Sequence, residues 1–147
     1  LKFLLDLNLL LALAWPSHVH HHHAHAWFEA EAHEGWATCR LTQLGFVRLS
    51  SNPAFTSDAV APTAALSLLQ DITAMDGHEF WPDDVDCLSA AFSGGVQLTG
   101  HRQVTDAYLL LLARARSGRL ATLDRRMSQV LPPSDRPTPH LRVIDAR

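Results

Sequence analysis

Along the chain, short continuous apolar runs alternate with longer stretches in which apolar side chains return every third or fourth residue. The first kind suits strands buried on both faces of a sheet, the second amphipathic helices laid against it. Lys2 to Leu5 is the opening run, too short for a helix before the polar break at Asp6-Leu7-Asn8, and it predicts a first strand. Leu9 to Trp15 predicts a helix that stops at Pro16, and Ser17 is a natural cap for a second helix running through His18 and Trp27 to about Glu31. Gly35 breaks the chain before a second strand over Trp36 to Cys39. Leu41 to Ser50 then predicts a helix whose apolar side is Leu41, Leu44, Phe46 and Val47, closed by Ser51-Asn52-Pro53.

A polar connection from Thr56 to Pro62 leads to a helix over Thr63 to Met75, with Ala64, Leu66, Leu68, Leu69 and Ile72 as its apolar content. His78 to Trp81 predicts a third strand, ended by Pro82 and the acidic group Asp83, Asp84 and Asp86, which reads as the first turn of a helix over Val85 to Phe92. Ser93-Gly94-Gly95 is a turn, and the stretch to Gly100 has little pattern. Thr105 is placed to cap a long apolar helix that stops at Gly118, with Asp106 in its first turn. Arg119 to Thr122 predicts a fourth strand ending at Leu123-Asp124, Leu131 to Pro139 a proline-rich loop, and Leu141 to Ile144 a fifth strand.

Strands alternating with helices predict a central, mostly parallel five-stranded sheet covered on both faces, and right-handed crossovers bring the carboxyl ends of the strands to one rim. Ligands bind along that rim in open α/β sheets. Asp6, Asp106 and Asp124 are placed to converge there, and Gln43 falls near the same edge. Two of them also have a plainer role open to them: Asp6 and Asp106 sit where helix-capping acids sit. Three carboxylates on one rim repel one another unless a divalent cation neutralises them, and hard oxygen donors select magnesium or manganese over zinc. The chemistry such a site supports is phosphodiester hydrolysis by a metal-activated water.

Composition narrows the classes. The 147 residues, 47% hydrophobic and 18% charged, suit one domain with one core. A net charge of −3 argues against a protein that coats nucleic acid indiscriminately. Lys2 is the sole lysine, so arginine supplies the remaining cations and favours bidentate contact with phosphate or carboxylate. Cys39 and Cys87 have no metal-site spacing and read as small core residues of a reduced, cytoplasmic protein. The apolar N-terminus is interrupted by Asp6 and Asn8, and no run reaches the roughly 20 apolar residues of a membrane span. Six of the ten histidines crowd SHVHHHHAHAW. His18 with His22, and His21 with His25, have a spacing that can chelate a metal, while a solvated helix face accounts for the run as well.

Four stretches in order, LLDLNLLLALAWPSHVHH at 4–21, WATCRLTQLGFVRLSSNP at 36–53, HRQVTDAYLLLLA at 101–113 and LATLDRRM at 120–127, resemble the PIN-domain ribonucleases, in particular the VapC toxins of bacterial toxin-antitoxin operons. The resemblance spans nearly the whole chain. It implies an α/β/α sandwich, a magnesium-dependent endoribonuclease, a homodimer, and a cognate antitoxin, itself a small DNA-binding protein, that blocks the acidic groove. Carried over, Asp6, Asp106 and Asp124 become metal ligands, and Asn8 and Thr122 brace the loops holding Asp6 and Asp124. The family usually has a glutamate where this chain has Gln43, whose amide can accept or coordinate but brings no charge. Among the arginines near the rim, Arg40, Arg102, Arg125 and Arg126, the choice for phosphate contact falls on Arg102 and Arg125.

Other classes fit less well. A receiver domain also gathers aspartates around magnesium but needs a lysine late in the sheet, and none follows Lys2. A P-loop fold is excluded because no GxxxxGK[ST] occurs. A degenerate PIN fold that binds RNA or a partner without turnover remains the alternative that Gln43 raises.

Overall fold

The structure is a computed structural model that describes residues 1–144. Five strands, β1 (Phe3–Leu5), β2 (Trp36–Cys39), β3 (His78–Trp81), β4 (Arg119–Thr122) and β5 (Leu141–Val143), form one sheet in the order β3-β2-β1-β4-β5. Every pairing is parallel, with Phe3 opposite both Trp36 and Arg119. The three inner strands are apolar almost throughout because both of their faces are covered, whereas Glu79 and Phe80 of the edge strand β3 are exposed. Chain order runs outward from β1 to β3, then returns to place β4 on the other side of β1. The strand order therefore reverses between β1 and β4.

Helices α1 (Leu7–Ala14), α2 (His21–Glu31), α3 (Arg40–Ser50) and α4 (Pro62–Thr73) serve one face, where Phe3, Leu5, Trp36 and Ala121 pack with Leu9, Leu10, Trp27, Phe46 and Leu69. Helices α5 (Ala90–Gly95) and α6 (Gln103–Ala115) serve the other, with Leu4, Ala37, Cys39 and Leu120 against Leu109, Leu110, Leu112 and Met127. Alternation along each strand thus feeds two cores, giving the α/β/α sandwich. Among the described residues no helix is long and apolar enough to cross a membrane.

Several elements depart from the sequence expectation. Helix α1 begins two residues before Leu9, because the Asp6 side chain caps it. Ser17 caps nothing: α2 starts at His21 after a turn in which the His18 N–H donates to the Trp15 carbonyl at 3.0 Å. Helix α3 is rotated from the expectation: Leu41 is 44% and Leu44 57% exposed, while Phe46, expected inside, is buried together with Thr42, Gly45 and Ser50. Gly45 explains the rotation, since a Cβ there would lie 2.7 Å from the Leu7 side chain and would push α3 off α1. On α4 it is Ala65 and Leu69 that are buried, and Leu66 is exposed.

No helix covers Val85 to Phe92. The chain turns at Asp86, Ser89 caps the short α5 by accepting from the Phe92 N–H at 3.2 Å, and Ser93-Gly94-Gly95 belongs to that helix. Helix α6 starts at Gln103, so Thr105 lies inside it, exposed, and Gln103 reaches back to accept from the Thr99 N–H at 2.7 Å. At its other end Gly118 does close α6: its N–H donates to the Ala113 carbonyl at 2.8 Å and that of Ser117 to Arg114 at 3.0 Å, with Ser117 at φ 54°. A side chain at 118 would also strike the Trp81 ring at 2.6 Å. Cys39 is buried as expected, but Cys87 is exposed on the loop after β3.

Candidate active site

The reversal point between β1 and β4 places the loop after each strand at one crevice, and Asp6 and Asp124 occupy those loops. Asp6 is 6% exposed. Its Oδ1 accepts the Leu9 N–H at 2.8 Å, capping α1, and its Oδ2 accepts the Thr122 hydroxyl at 2.5 Å. The capping and rim roles therefore fall on one carboxylate. Thr122, wholly buried at the end of β4, also accepts the Asp124 N–H on the same oxygen at 3.0 Å. One hydroxyl thus fixes both acidic loops.

Burial above all raises the Asp6 carboxyl from 3.8 to about 6. The Thr122 and Leu9 hydrogen bonds oppose that rise, and the charges of Asp106 and Asp124 add to it. Asp106, in the first turn of α6, is raised as well, by burial first and then by Asp124, with Arg126 pulling it down. The three acids therefore sense one another across the crevice.

Among the described residues no group of three or more His, Cys, Asp or Glu side chains is placed to hold a metal ion. The chemistry of the three acids nonetheless fits a hard divalent cation. Each carboxylate oxygen of Asp6 keeps a lone-pair site beyond its one hydrogen bond, and the charges of Asp106 and Asp124 both raise its carboxyl. An open, partly hydrated ion suits that arrangement better than an all-protein cage.

Other residues fall differently. Gln43 hydrogen-bonds to Thr38 at 3.1 Å and accepts from Arg40 at 3.2 Å, on the β2 and β3 side of the rim, and neither bond reaches an acid of the crevice. Asn8 is exposed on the first turn of α1 and makes no hydrogen bond among the described residues, so Thr122 does the bracing expected of both. Arg102 is exposed just before α6 and supplies no side-chain cap. Arg125 is exposed at the head of a 3-10 turn over Arg125–Val130.

Arg126 is the cation that enters the site: its backbone N–H donates to Asp124 Oδ1 at 2.9 Å and its Nε at 3.4 Å. The sequence signal for it was the Asp-x-Arg spacing, in which an aspartate caps the backbone two residues on. The acidic group after β3 serves locally: Asp83 accepts the Leu41 N–H at 3.3 Å, Asp84 pairs with Arg116 at 2.7 Å, and Asp86 accepts the Leu88 N–H at 2.9 Å.

The histidine run has a structural use. Helix α1 stops short at Trp15-Pro16, leaving carbonyls without partners in the next turn. His21 Nδ1 donates to the Ala12 carbonyl at 2.8 Å and His25 Nε2 to that of Leu13 at 3.0 Å, with their rings 4.4 Å apart. The i,i+4 pair thus caps α1.

A doubly wound parallel sheet with acids at its reversal point, braced by a threonine, defines a PIN-type domain. No protein-family model matches the chain. It is 42% identical to Ribonuclease VapC39 of Mycobacterium tuberculosis over 125 residues, 85% of this chain and 90% of the relative. It is 48% identical to Ribonuclease VapC38 over 121 residues, 82% and 84% of the two chains, and 41% identical to Ribonuclease VapC44 over 128 residues, 87% and 89%, both from the same organism. The chain belongs to the VapC ribonuclease family.

Proposed function

We propose that the protein is a magnesium-dependent endoribonuclease toxin, with manganese able to substitute, whose rim acids hold the ion over an RNA phosphodiester. The observation that carries this reading is Asp6: a buried carboxylate tied through Thr122 to the Asp124 loop and sharing its crevice with Asp106. The relatives' names as ribonucleases support it. Asp6, Asp106 and Asp124 would hold the ion, which when bound lowers the pKa of water and neutralises charge on phosphate oxygens.

The chain's own contribution is positional. Thr122 keeps Asp6 and Asp124 at fixed spacing, and the Leu9 N–H orients the Asp6 carboxylate plane. The N-termini of α1 and α6 point their positive ends at the rim, where a phosphate backbone arrives. Arg126, hydrogen-bonded to Asp124 and exposed, meets that backbone.

The same reading brings in a cognate antitoxin that covers the crevice, and a homodimer. Co-expression with the neighbouring operon protein, followed by co-purification, tests the first; light scattering of the isolated chain tests the second. For the activity itself, total RNA incubated with Mg2+ is cut internally, and cutting stops in EDTA and in Asp6→Asn. RNA binding without cutting would instead support the binding module that the uncharged Gln43 favours.

A further inference from the structure

Position 43, where an acid is expected, sits in a hydrogen-bond chain whose direction can be worked out. The Arg40 guanidinium is a donor only, so the Gln43 oxygen must face it and the amide nitrogen must face Thr38. Thr38 Oγ1, fully buried, therefore accepts from Gln43, and its own hydrogen is left for His78 Nε2 at 2.7 Å. His78 Nε2 then accepts from Thr38, and burial, which pushes the ring below the ordinary histidine range, agrees with an accepting nitrogen. The chain closes without a missing donor or acceptor only if residue 43 both donates and accepts. A carboxylate would reverse Thr38 and require His78 to donate.

At the far end of this chain stands Arg40, the first residue of α3, exposed at the carboxyl end of β2. Its guanidinium carbon lies 4.7 Å from the centre of the Phe80 ring. Among the described residues its side chain hydrogen-bonds to Gln43 alone, and the residue is exposed. Asp83 already occupies the Leu41 N–H, which leaves the guanidinium and not the helix end as the anion-binding group here. Strands in a sheet lie about 5 Å apart, and β3 is two strands from β1, so a flat cation on an aromatic ring stands about 10 Å along the rim from the acids. Single-stranded RNA is held by such pairs, a guanidinium for phosphate and a planar surface for a base.

We propose that Arg40 and Phe80 form a subsite for the single-stranded RNA flanking the scissile bond, and that Gln43 positions Arg40 in it instead of reaching the cation. This rests on the ribonuclease reading for its substrate. The chain His78–Thr38–Gln43 then acts as a strut: it is anchored on the sheet edge and ends on the guanidinium.

The test is binding of a labelled mixed-sequence single-stranded RNA in EDTA, read by fluorescence anisotropy, alongside Mg2+-dependent cleavage of total RNA. Arg40→Ala is expected to weaken binding about tenfold, the size of one charged hydrogen bond, and Arg40→Lys to recover part of it. Gln43→Ala weakens binding by about threefold, and the double variant binds no worse than Arg40→Ala, because the two act as one unit. In Gln43→Glu, 15N spectra show His78 switching to the Nε2–H form, which a merely space-filling role would not cause. The Mg2+ concentration for half-maximal cleavage stays where it is in Gln43→Ala. Unchanged binding in Arg40→Ala, no measurable binding by the wild type, or a tenfold rise in that Mg2+ concentration would each overturn the proposal. If the wild type binds RNA without cutting it, the ribonuclease reading fails while the binding cycle still judges Arg40.

Discussion

The two ends of the sheet treat their acids in opposite ways. At the amino end, Glu31 is held below the usual carboxylate range chiefly by its two hydrogen bonds from Arg142, at 2.8 and 2.9 Å, and Glu79 is lowered chiefly by Lys2 at 2.6 Å. At the carboxyl end, Asp6 and Asp106 are raised by burial and by neighbouring acids. One end neutralises itself with its own cations. The other keeps the Asp6 and Asp106 carboxyls desolvated beside a further acid, at a cost to stability that a ligand from outside can relieve.

The largest way to break that contrast is Asp6→Asn. Cleavage in Mg2+ should fall by about a thousandfold, as expected when a main contributor to transition-state charge stabilisation is removed. The same substitution should stabilise the metal-free protein. Asn can still accept from Leu9 and meet Thr122, and the difference between 3.8 and about 6 corresponds to at most about 3 kcal/mol. Urea unfolding at pH 7.5 in EDTA measures it, and a less stable Asp6→Asn would remove the claimed strain.

The pH dependence sharpens the contrast further. Because the folded Asp6 pKa is raised, its contribution to stability is fully present below pH 3.8 and is lost as pH rises through about 6. Glu31 runs the other way: its folded pKa is lowered, so its contribution is present above the unfolded value and disappears as pH falls. In EDTA, the stability gain of Asp6→Asn should therefore shrink between pH 7.5 and pH 4. Activity in Mg2+ should fall as pH drops below about 6, since protons compete with the ion.

Smaller effects follow at the brace and at the far end. Thr122→Val leaves Asp6 Oδ2 and the Asp124 N–H without their shared partner, costing about 1 to 3 kcal/mol by denaturant unfolding. Glu31→Gln disrupts a half-exposed pair and should cost about 0 to 1 kcal/mol, with no change in the Mg2+ response. A Mg2+ response altered by Glu31→Gln would erase the distinction between the two ends.

What could be read from the sequence divides along physical lines. Trp36 to Cys39, His78 to Trp81 and Arg119 to Thr122 were legible to the residue, because parallel strands are apolar runs cut by turn residues. The buried side of α3 was not, since it carries the small or polar residues Thr42, Gly45 and Ser50, Gly45 lying close against Leu7, and periodicity weighs hydrophobicity and not closeness. The capping role of His21 and His25 was not among the readings of the run, chelation or a solvated helix face, because the carbonyls they cap belong to another helix, which local spacing cannot show. Chain order put Asp6 and Asp124 after β1 and β4 and Asp106 in the first turn of the long helix, and the structure places them there. The bond from Arg126 to Asp124 was not foreseen, because it depends on the 3-10 turn that begins at Arg125.

Under the proposed function, the crevice between β1 and β4 takes one divalent cation. Titrating the metal-free protein with Mn2+ and following bound ion by electron paramagnetic resonance tests it directly. The account predicts one site in the wild type, lost in Asp6→Asn, weakened in Asp106→Asn and Asp124→Asn, and untouched in Glu31→Gln. Equal Mn2+ binding by the wild type and Asp6→Asn would contradict it.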